Sequence, residues 1–462
     1  MVLTPSWSDG TIYLWGCILS GFPRESSFSR SSENGTEGRN GIRWDFSSKA
    51  ARLIMKAAVR YYLRFSDESA TVLPPADRNK NYLLYLHVPF CLTLCPYCSF
   101  HRFKFHEETA RRYFSLLRDE MRMTARLGYS FNSVYFGGGT TSILPDELAK
   151  TIDLARELFG ITEVSCESDP NHIDPESLRY TEGRIDRLSV GIQTFNDKYL
   201  ENIGRRKKFG TGAEQFEKVK AILQHFPIVN VDLMYNFPGQ TEGELLDDIK
   251  KVRELKPQQA TFYPLMYAPF VGKKLKEQIG KSTNENEAKL FSLIMKNMNE
   301  PYIQRTSWAF ALKQKEFIDE YVVDHSEYVG LGSGAFSFLN GTLYANSFSL
   351  KEYADRVAAG MASVVKSTRF GSYSVKQYRM MVEMFGLRGE PSYKPFFEYN
   401  ALKAVGVIGS KNGHAVITPK GRFLLSVMMK GFYNGMDYIR ESMRADLEAS
   451  DERICLGCTE DE

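Results

Sequence analysis

Cys91, Cys95 and Cys98 stand in one loop with C-x3-C-x2-C spacing, directly after the apolar run Tyr82–Val88. Cysteine-ligated iron–sulfur clusters ordinarily use four thiolates. Three thiolates so closely spaced hold three irons of a 4Fe–4S cube and leave the fourth without a protein ligand. An open coordination position is where a metal centre does chemistry, as the contrast between catalytic and structural zinc shows. The alternatives are three unpaired structural cysteines or half of a zinc site, but no matching His or Cys pair follows at zinc-ribbon distance.

Other residues suited to holding a ligand fall at or near the ends of later apolar runs. Gly137-Gly138-Gly139-Thr140 follows Tyr135-Phe136. Three residues without a Cβ let backbone groups approach a ligand closely, although a GGG turn alone is also an ordinary tight turn. Glu167, in CESDPN, offers a carboxylate to a cationic amino group or is a solvated edge residue. Gln193, in RLSVGIQTF, offers an amide to ribose hydroxyls. Arg205, in IGRRKKF, offers a fork to a carboxylate, while Arg206, Lys207 and Lys208 read as a solvated face. Asp232, inside VNVDLMYNFPGQT, is costly to bury unless paired or ligand-bound and reads as another ribose contact.

These residues need a scaffold that presents strand ends to one place. Apolar runs at Tyr82–Val88, Ser133–Phe136, Val164–Glu167, Arg187–Ile192, Val229–Met234 and Ala260–Leu265 alternate with amphipathic segments such as Glu107–Arg126, Asp146–Leu158, Ala213–Gln224 and Glu242–Leu255. Strand–helix alternation at this interval predicts an α/β fold with consecutive βα units and a parallel sheet. About six units favour a partial (β/α)6-type barrel over the closed eight-unit form, with active residues at the carboxyl ends of the strands. From about residue 372 the order helix, helix, short hairpin, helix predicts a C-terminal winged-helix-like helical module. Lys and Arg are not concentrated on its third helix, which favours a structural or substrate-covering role over DNA binding.

The 462 residues then divide into a disordered extension without sustained period (1–48), a helical lead-in and linker (49–80), a core (81–280), a core extension on the substrate side (281–371), the helical module (372–445) and a tail with C-x2-C (446–462). Hydrophobic content of 43% and charged content of 25% are those of a soluble globular protein. A net charge of +3, from 59 basic and 56 acidic residues, gives no electrostatic footprint for nucleic acid. The apolar stretch Thr11–Phe22 is short for a membrane span and lacks a preceding basic run. Seven cysteines in a chain of this length argue against a disulfide scaffold and for the reducing cytoplasm.

HVPFC-x3-C-x2-C, GGGT, the Glu-x-Asp-Pro run, SVGIQTFN, VDLMYNFPGQT and Gly330-x-Gly332-x-Gly334-Ala335 occur in this order. The set resembles one family within the radical S-adenosylmethionine (SAM) superfamily, over about residues 80–440. That family holds the oxygen-independent coproporphyrinogen III oxidases (dehydrogenases), their heme-chaperone relatives, and related anaerobic heme-degrading and methyl-transferring enzymes. The resemblance implies a radical SAM barrel, a 4Fe–4S cluster on Cys91, Cys95 and Cys98, and SAM bound as one molecule or two. It implies SAM contacts at Tyr85, Tyr97, Gly138, Gly139, Thr140, Glu167, Gln193, Arg205 and Asp232. It further implies cleavage of SAM to a 5′-deoxyadenosyl radical that abstracts hydrogen from a tetrapyrrole-like substrate, with electrons from a flavodoxin- or ferredoxin-type donor. Neither nucleic acid nor membrane insertion is expected.

Two departures qualify the subfamily. The coproporphyrinogen dehydrogenases carry a further cysteine two residues after the third ligand, where this chain has Phe100. The heme chaperones have a His-Asn…Tyr-Trp motif, where this chain reads ANSFSLKEYADR, with Asn346 and Tyr353 but no His or Trp. Dehydrogenase, heme chaperone, and heme-degrading or methyl-transferring relative therefore all stay open. Three further features stand apart. Cys455 and Cys458 are either an auxiliary metal or redox pair or an unliganded tail. His87, His101 and His106 flank the cysteine loop, His87 reading as a local hydrogen-bonding group. Tyr263, Tyr267, Phe270, Trp308 and Phe310 either line a cavity for a flat substrate or are core.

Overall fold

The computed structural model describes residues 42–449, apart from 68, 268–270, 315–316 and 319–322. Helix α1 (Phe46–Tyr62) comes first, capped by Asp45, whose carboxylate accepts from the Ser48 N–H at 3.1 Å. β1 (Tyr82–Val88) runs into the cysteine loop, which carries a short parallel ladder of β2 (Phe90–Cys91) and β3 (Phe103–Lys104). The alternation continues with α2 (Glu107–Ala125), β4 (Phe131–Gly138), α3 (Pro145–Phe159), β5 (Glu163–Ser168), α4 (Pro175–Thr181) and β6 (Arg187–Gln193). Three helices, α5 (Asp197–Asn202), α6 (Arg206–Phe209) and α7 (Gly212–Ile222), precede β7 (Ile228–Tyr235). Then come α8 (Glu242–Leu255), β8 (Gln259–Pro264), α9 (Val271–Ile279) and α10 (Asn284–Asn297).

The order then changes to short strands: β9 (Tyr302–Gln304), β10 (Ala309–Leu312), β11 (Glu327–Leu331), β12 (Phe336–Leu339) and β13 (Thr342–Asn346), followed by α11 (Leu350–Ala358) and β14 (Val364–Arg369). The described chain closes with α12 (Ser372–Phe385), α13 (Phe396–Ala404), the hairpin β15 (Ile408–Lys411)–β16 (His414–Ile417) and α14 (Pro419–Ala449).

One sheet takes up twelve strands in the order β14-β13-β12-β11-β1-β4-β5-β6-β7-β8-β10-β9. β1 and β4–β8 are parallel neighbours, the six units that the apolar periodicity predicts. β11 adds a seventh parallel strand beside β1, and antiparallel strands extend both sides. β14 and β9 are edges, so the barrel is partial and open. Parallel strands are covered on both faces and read as near-continuous apolar runs. Leu84, Leu86, Val134, Val164, Val190 and Val231 are accordingly buried in the main core.

Three differences from the sequence expectation bear on the site. Helix α1 begins at Phe46, inside the stretch read as an extension. Strands β9–β14 continue the sheet of residues 81–280 without a break. The last helix runs to Ala449, past the end of the 372–445 module expected. Its length lets α14 lie along α1, where a Cβ on Gly431 would come within 2.8 Å of Met55 and one on Gly435 within 2.2 Å of Val59. Glycine weakens a helix interior, and here its missing side chain is what admits the neighbouring helix. Lys420–Asp45 (3.1 Å), Trp308 Nε1 to Ser426 Oγ (2.6 Å) and Lys430–Glu287 (2.6 Å) fix α14 to α1, to the segment before β10 and to α10. Among the described residues no helix is long and apolar enough to cross a membrane.

Candidate functional site

The cysteine loop is held by cations. Arg102 donates to the carbonyls of Cys98, Phe100 and Cys95, Lys208 to Thr93 O at 2.6 Å, and Arg444 to Phe100 O and Ser99 O at 2.9 and 3.1 Å. Cys91 is buried, and Cys95 and Cys98 are partly exposed; all three are unpaired thiols. Burial pushes the Cys91 thiol up to about 11, with the neighbouring Cys98 adding to the shift and Thr140 opposing it. A thiolate there calls for a bound cation. Among the described residues no three His, Cys, Asp or Glu converge as they would on one ion. Cluster ligands do not need to, since each thiolate binds a different iron.

The glycine run has a reason within the protein itself. Gly138 sits at φ +117°, and a Cβ there would come within 2.5 Å of the His87 ring. A Cβ on Gly139 would lie 2.5 Å from Phe90 O. The backbone zips instead, Gly139 N–H to Val88 O and Thr140 N–H to Phe90 O, both at 2.8 Å. The glycines thus let β4 close against the start of the cysteine loop, a role that ligand-approach reasoning overlooks. Thr140 Oγ1 lies 3.7 Å from Cys91 Sγ and 2.9 Å from Asp169 Oδ2. Asp169 also accepts from His172 Nδ1 at 2.8 Å and the Asn171 N–H at 2.9 Å. Burial works to raise the Asp169 carboxyl, but these three donors outweigh it and hold the group below its usual range. Asp169 was visible in the Glu-x-Asp-Pro run, yet nothing in the sequence showed that it orients Thr140.

Glu167 is not a solvated edge residue. It accepts from Tyr135 OH at 2.9 Å and from the Gly138 N–H at 3.0 Å. Tyr135 in turn stacks on Tyr85, with centroids 6.1 Å apart. Tyr85 OH donates to His87 Nδ1 at 2.9 Å, and His87 Nε2–H donates to His101 O at 2.9 Å, which fixes the tautomer. Burial holds His87 down at about 4, so the ring is neutral. His101 Nε2 bonds Ser333 Oγ at 3.1 Å. The histidines flanking the loop therefore make local hydrogen bonds, and His106 pairs with Thr109 at 3.3 Å.

On the other side of the strand ends, Arg205 Nη1 reaches Tyr97 OH at 3.2 Å and Cys95 Sγ at 3.9 Å, and Nη2 donates to Gly191 O. The Phe209 ring lies 4.1 Å below its guanidinium, and its buried Nε has no hydrogen-bond partner. Gln193 ends β6 at φ +74°, beside a register shift against β7. A non-glycine residue at positive φ next to a bulge is a re-aimed side chain, and periodicity alone could not show it. Asp232 lies opposite Gly191 and accepts from Ser189 Oγ at 2.6 Å and Asn230 Nδ2 at 2.8 Å. Its half-buried carboxylate is thus held by neutral donors inside the barrel. Contacts or strand register link Tyr85, Gly138, Glu167, Thr140, Arg205, Tyr97 and Asp232 to the three cysteines as one array at the carboxyl ends of the strands.

A cavity opens beside that array. It encloses about 1520 Å³, its mouth included, and its lining is overwhelmingly apolar. Tyr85, His87 and Phe100 form the end next to the cysteine loop; β11–β13, α1, α12 and α14 form the rest. Phe100, at the position of the family's further cysteine, is a cavity wall beneath the Arg440 guanidinium, 5.0 Å away. The aromatic set read as either cavity lining or core does not line this cavity. Phe310 packs on Phe262 at 5.9 Å, and Trp308 packs on Tyr263 at 5.4 Å, both as core. Tyr267 packs with Tyr199 and Phe237, while Phe270 lies outside the described residues, as do Cys455 and Cys458. Asn346 and Tyr353 are structural: Asn346 donates to Gly330 O and Gly332 O, and Tyr353 to Glu120.

A partial barrel of parallel βα units, with three thiols on the loop after its first strand, defines a radical SAM domain. The family model of the radical SAM superfamily matches residues 85–252. The heme chaperone HemW of Bacillus subtilis is 30% identical over 288 residues, covering 59% of this chain and 75% of that protein. The anaerobilin synthase of Escherichia coli O157:H7 is 26% identical over 295 residues, covering 60% and 65%. The solved structure of the Escherichia coli coproporphyrinogen III oxidase HemN superposes with a TM-score of 0.66 at 22% identity, over 85% of this chain and 99% of that one. The chain belongs to the coproporphyrinogen III oxidase and heme chaperone family of the radical SAM superfamily. Its cofactors are a 4Fe–4S cluster and SAM. The residues present fit both: three unpaired thiols lie in a loop bound by Arg102, Lys208 and Arg444, and a buried Arg205 Nε without a protein partner lies beside them.

Proposed function

We propose that this chain is a radical SAM enzyme that abstracts hydrogen from a tetrapyrrole-like molecule seated in the cavity. The supporting observation is that this cavity ends on Tyr85, His87 and Phe100, where the strand-end array and the cysteine loop meet. Cys91, Cys95 and Cys98 would ligate the cluster; Tyr85, Tyr97, Gly138, Gly139, Thr140, Glu167, Gln193, Arg205 and Asp232 would hold SAM. When bound, the two together supply a 5′-deoxyadenosyl radical upon reduction. The chain's own residues orient and shield. Glu167 is fixed by Tyr135 and the Gly138 N–H, so its carboxylate is preorganised for a cationic amino group. Asp232, fixed by Ser189 and Asn230, is preorganised for hydroxyls. His87 is neutral and adds no charge to the inner wall, and the apolar lining excludes water that would quench a radical.

The test is 5′-deoxyadenosine release after cluster reconstitution, under anaerobic reducing conditions, with and without heme and coproporphyrinogen III. Stimulation by a tetrapyrrole, abolished in Cys95→Ala, is the expected result. A second reading, a heme chaperone that retains both cofactors, is favoured by the names of the curated relatives. It predicts one-to-one heme binding with release indifferent to every tetrapyrrole, and that result would replace the enzymatic reading.

A further inference from the structure

The cysteine loop turns an apolar tip to solvent. Leu92 and Leu94, between the first two cluster thiols, are 47% and 44% exposed, and Thr93 between them is exposed as well. A single exposed leucine is ordinary, whereas apolar side chains grouped inside a polar rim mark a contact surface. The rim here is cationic. Residues 89–106 carry Arg102 and Lys104 and no Asp or Glu, and residues 203–210 carry Arg205, Arg206, Lys207 and Lys208 and again no acid. The β2–β3 register sets Lys104 opposite Cys91, one residue before Leu92, and the Lys208 bond to Thr93 O sets α6 against the tip. These cations divide by task. Arg102, Lys208 and Arg444 are taken up by carbonyls of the loop, and Arg205 by Tyr97 and Gly191. Arg206 stands 3.9 Å from Asp197 and 3.9 Å from Glu201. Lys104 and Lys207 are exposed, and among the described residues neither has an ion-pair or hydrogen-bond partner.

We propose that this tip, with Lys104 and Lys207 beside it, is the docking surface for a small acidic flavoprotein that passes single electrons to the cluster. The inference rests on the cluster being reduced from outside, as the enzymatic reading above requires. A surface lying between two cluster ligands brings a donor close to the irons, and electron transfer slows steeply with distance. Unpaired lysines around an apolar centre complement an acidic surface whose electron-exit edge is itself apolar. The dimethylbenzene ring of a flavin supplies such an edge; the sulfur-and-peptide edge of an iron–sulfur carrier does not. In the step itself the anionic flavin hydroquinone gives up one electron and becomes the neutral semiquinone. The cluster takes up that electron, and no atom or proton changes hands.

The test uses the reconstituted full chain, under anaerobic conditions, and an acidic bacterial flavodoxin. Calorimetric titration with oxidised flavodoxin reads docking without turnover, and stopped-flow bleaching of the cluster absorbance by its hydroquinone reads electron transfer. Saturable binding that weakens about tenfold between low and physiological salt is expected. Lys104→Glu with Lys207→Glu should weaken low-salt binding about tenfold or more and flatten its salt dependence. Leu92→Ser with Leu94→Ser should weaken binding about fivefold or more at either salt. Reduction at sub-saturating flavodoxin should slow in proportion. Photoreduced deazaflavin, a small donor that needs no docking surface, should reduce each variant at a rate within about twofold of wild type. Flavodoxin binding unchanged by either double substitution, equal slowing with both donors, tighter binding of an equally acidic ferredoxin, or no saturable flavodoxin binding would each overturn the inference. Flavodoxin-driven reduction with the expected losses, but without tetrapyrrole-stimulated 5′-deoxyadenosine release, supports this inference while removing the enzymatic reading. Stimulated release under deazaflavin, with flavodoxin unbound, does the reverse.

Discussion

Glu120 sits on α2 and is not among the residues assigned to a cofactor, yet replacing it should loosen the inner end of the cavity. Its carboxylate is buried and takes three donors: the Gly332 N–H at 2.8 Å, Tyr353 OH at 2.9 Å and Ser363 Oγ at 2.5 Å. Burial raises its pKa, and the same three donors oppose that shift. The Gly332–Ser333 turn held this way is also bonded by Tyr113 OH, which joins the Ser333 N–H to His87 O. Glu120→Ala leaves three buried donors unpaired at about 1–3 kcal/mol each. Relief of the carboxylate's own desolvation offsets part of this, and a net loss of roughly 3–5 kcal/mol is expected. Glu120→Gln keeps the volume and one acceptor oxygen but turns an NH2 toward a donor, so it should fall between wild type and alanine. The assay is urea unfolding followed by circular dichroism, with amide hydrogen exchange read at Gly332 and Ser333. A Glu120→Ala variant within about 1 kcal/mol of wild type, and unchanged exchange at Gly332, would refute the hub role.

Three further outcomes are expected. Burial pushes the Asp248 carboxyl up to about 6. The folded state then keeps a proton that the unfolded chain releases, so this group's contribution to stability is full below about pH 4 and falls by roughly 3 kcal/mol as pH rises to about 6. Melts across pH 4–8 should show this slope, and Asp248→Asn should remove it. Asp232→Ala should weaken SAM binding about tenfold or more while Ser189→Ala, which removes only a donor that orients it, costs less; equilibrium dialysis against labelled SAM reads both. Gly139→Ala should prevent closure of β4 on the cysteine loop, since its Cβ would sit 2.5 Å from Phe90 O, and should lower iron per chain after reconstitution.

The strands were legible because burial on both faces writes itself as apolar runs, and six of them, from Tyr82–Val88 to Gln259–Pro264, lie where the runs predict. The cysteine loop was legible because ligand spacing is local. What was not legible depends on partners distant in sequence. Phe100 reads as a missing cysteine but is a cavity wall, and Arg440 reads as one more helical charge. Trp308 and Phe310 have the composition of a cavity lining, yet Trp308 points its Nε1–H at Ser426 in the core. Gln193 carries no sequence mark of its positive φ. A usable signal did exist in Gly431-x3-Gly435, whose spacing puts both glycines on one helix face, ready for a close neighbour.

That close neighbour is α1, and the pairing sets an order of events during synthesis. A ribosome delivers the cysteine loop and all seven parallel strands while α14 is still untranslated. The nascent chain therefore has its three thiols in place on a nearly complete sheet before the wall carrying Met428, Phe432 and Arg440 exists. Iron and sulfide can be delivered to an open flank, with no apolar chamber yet formed to trap a stray hydrophobic molecule. The apolar cavity is the last part to be assembled, when α14 docks on α1.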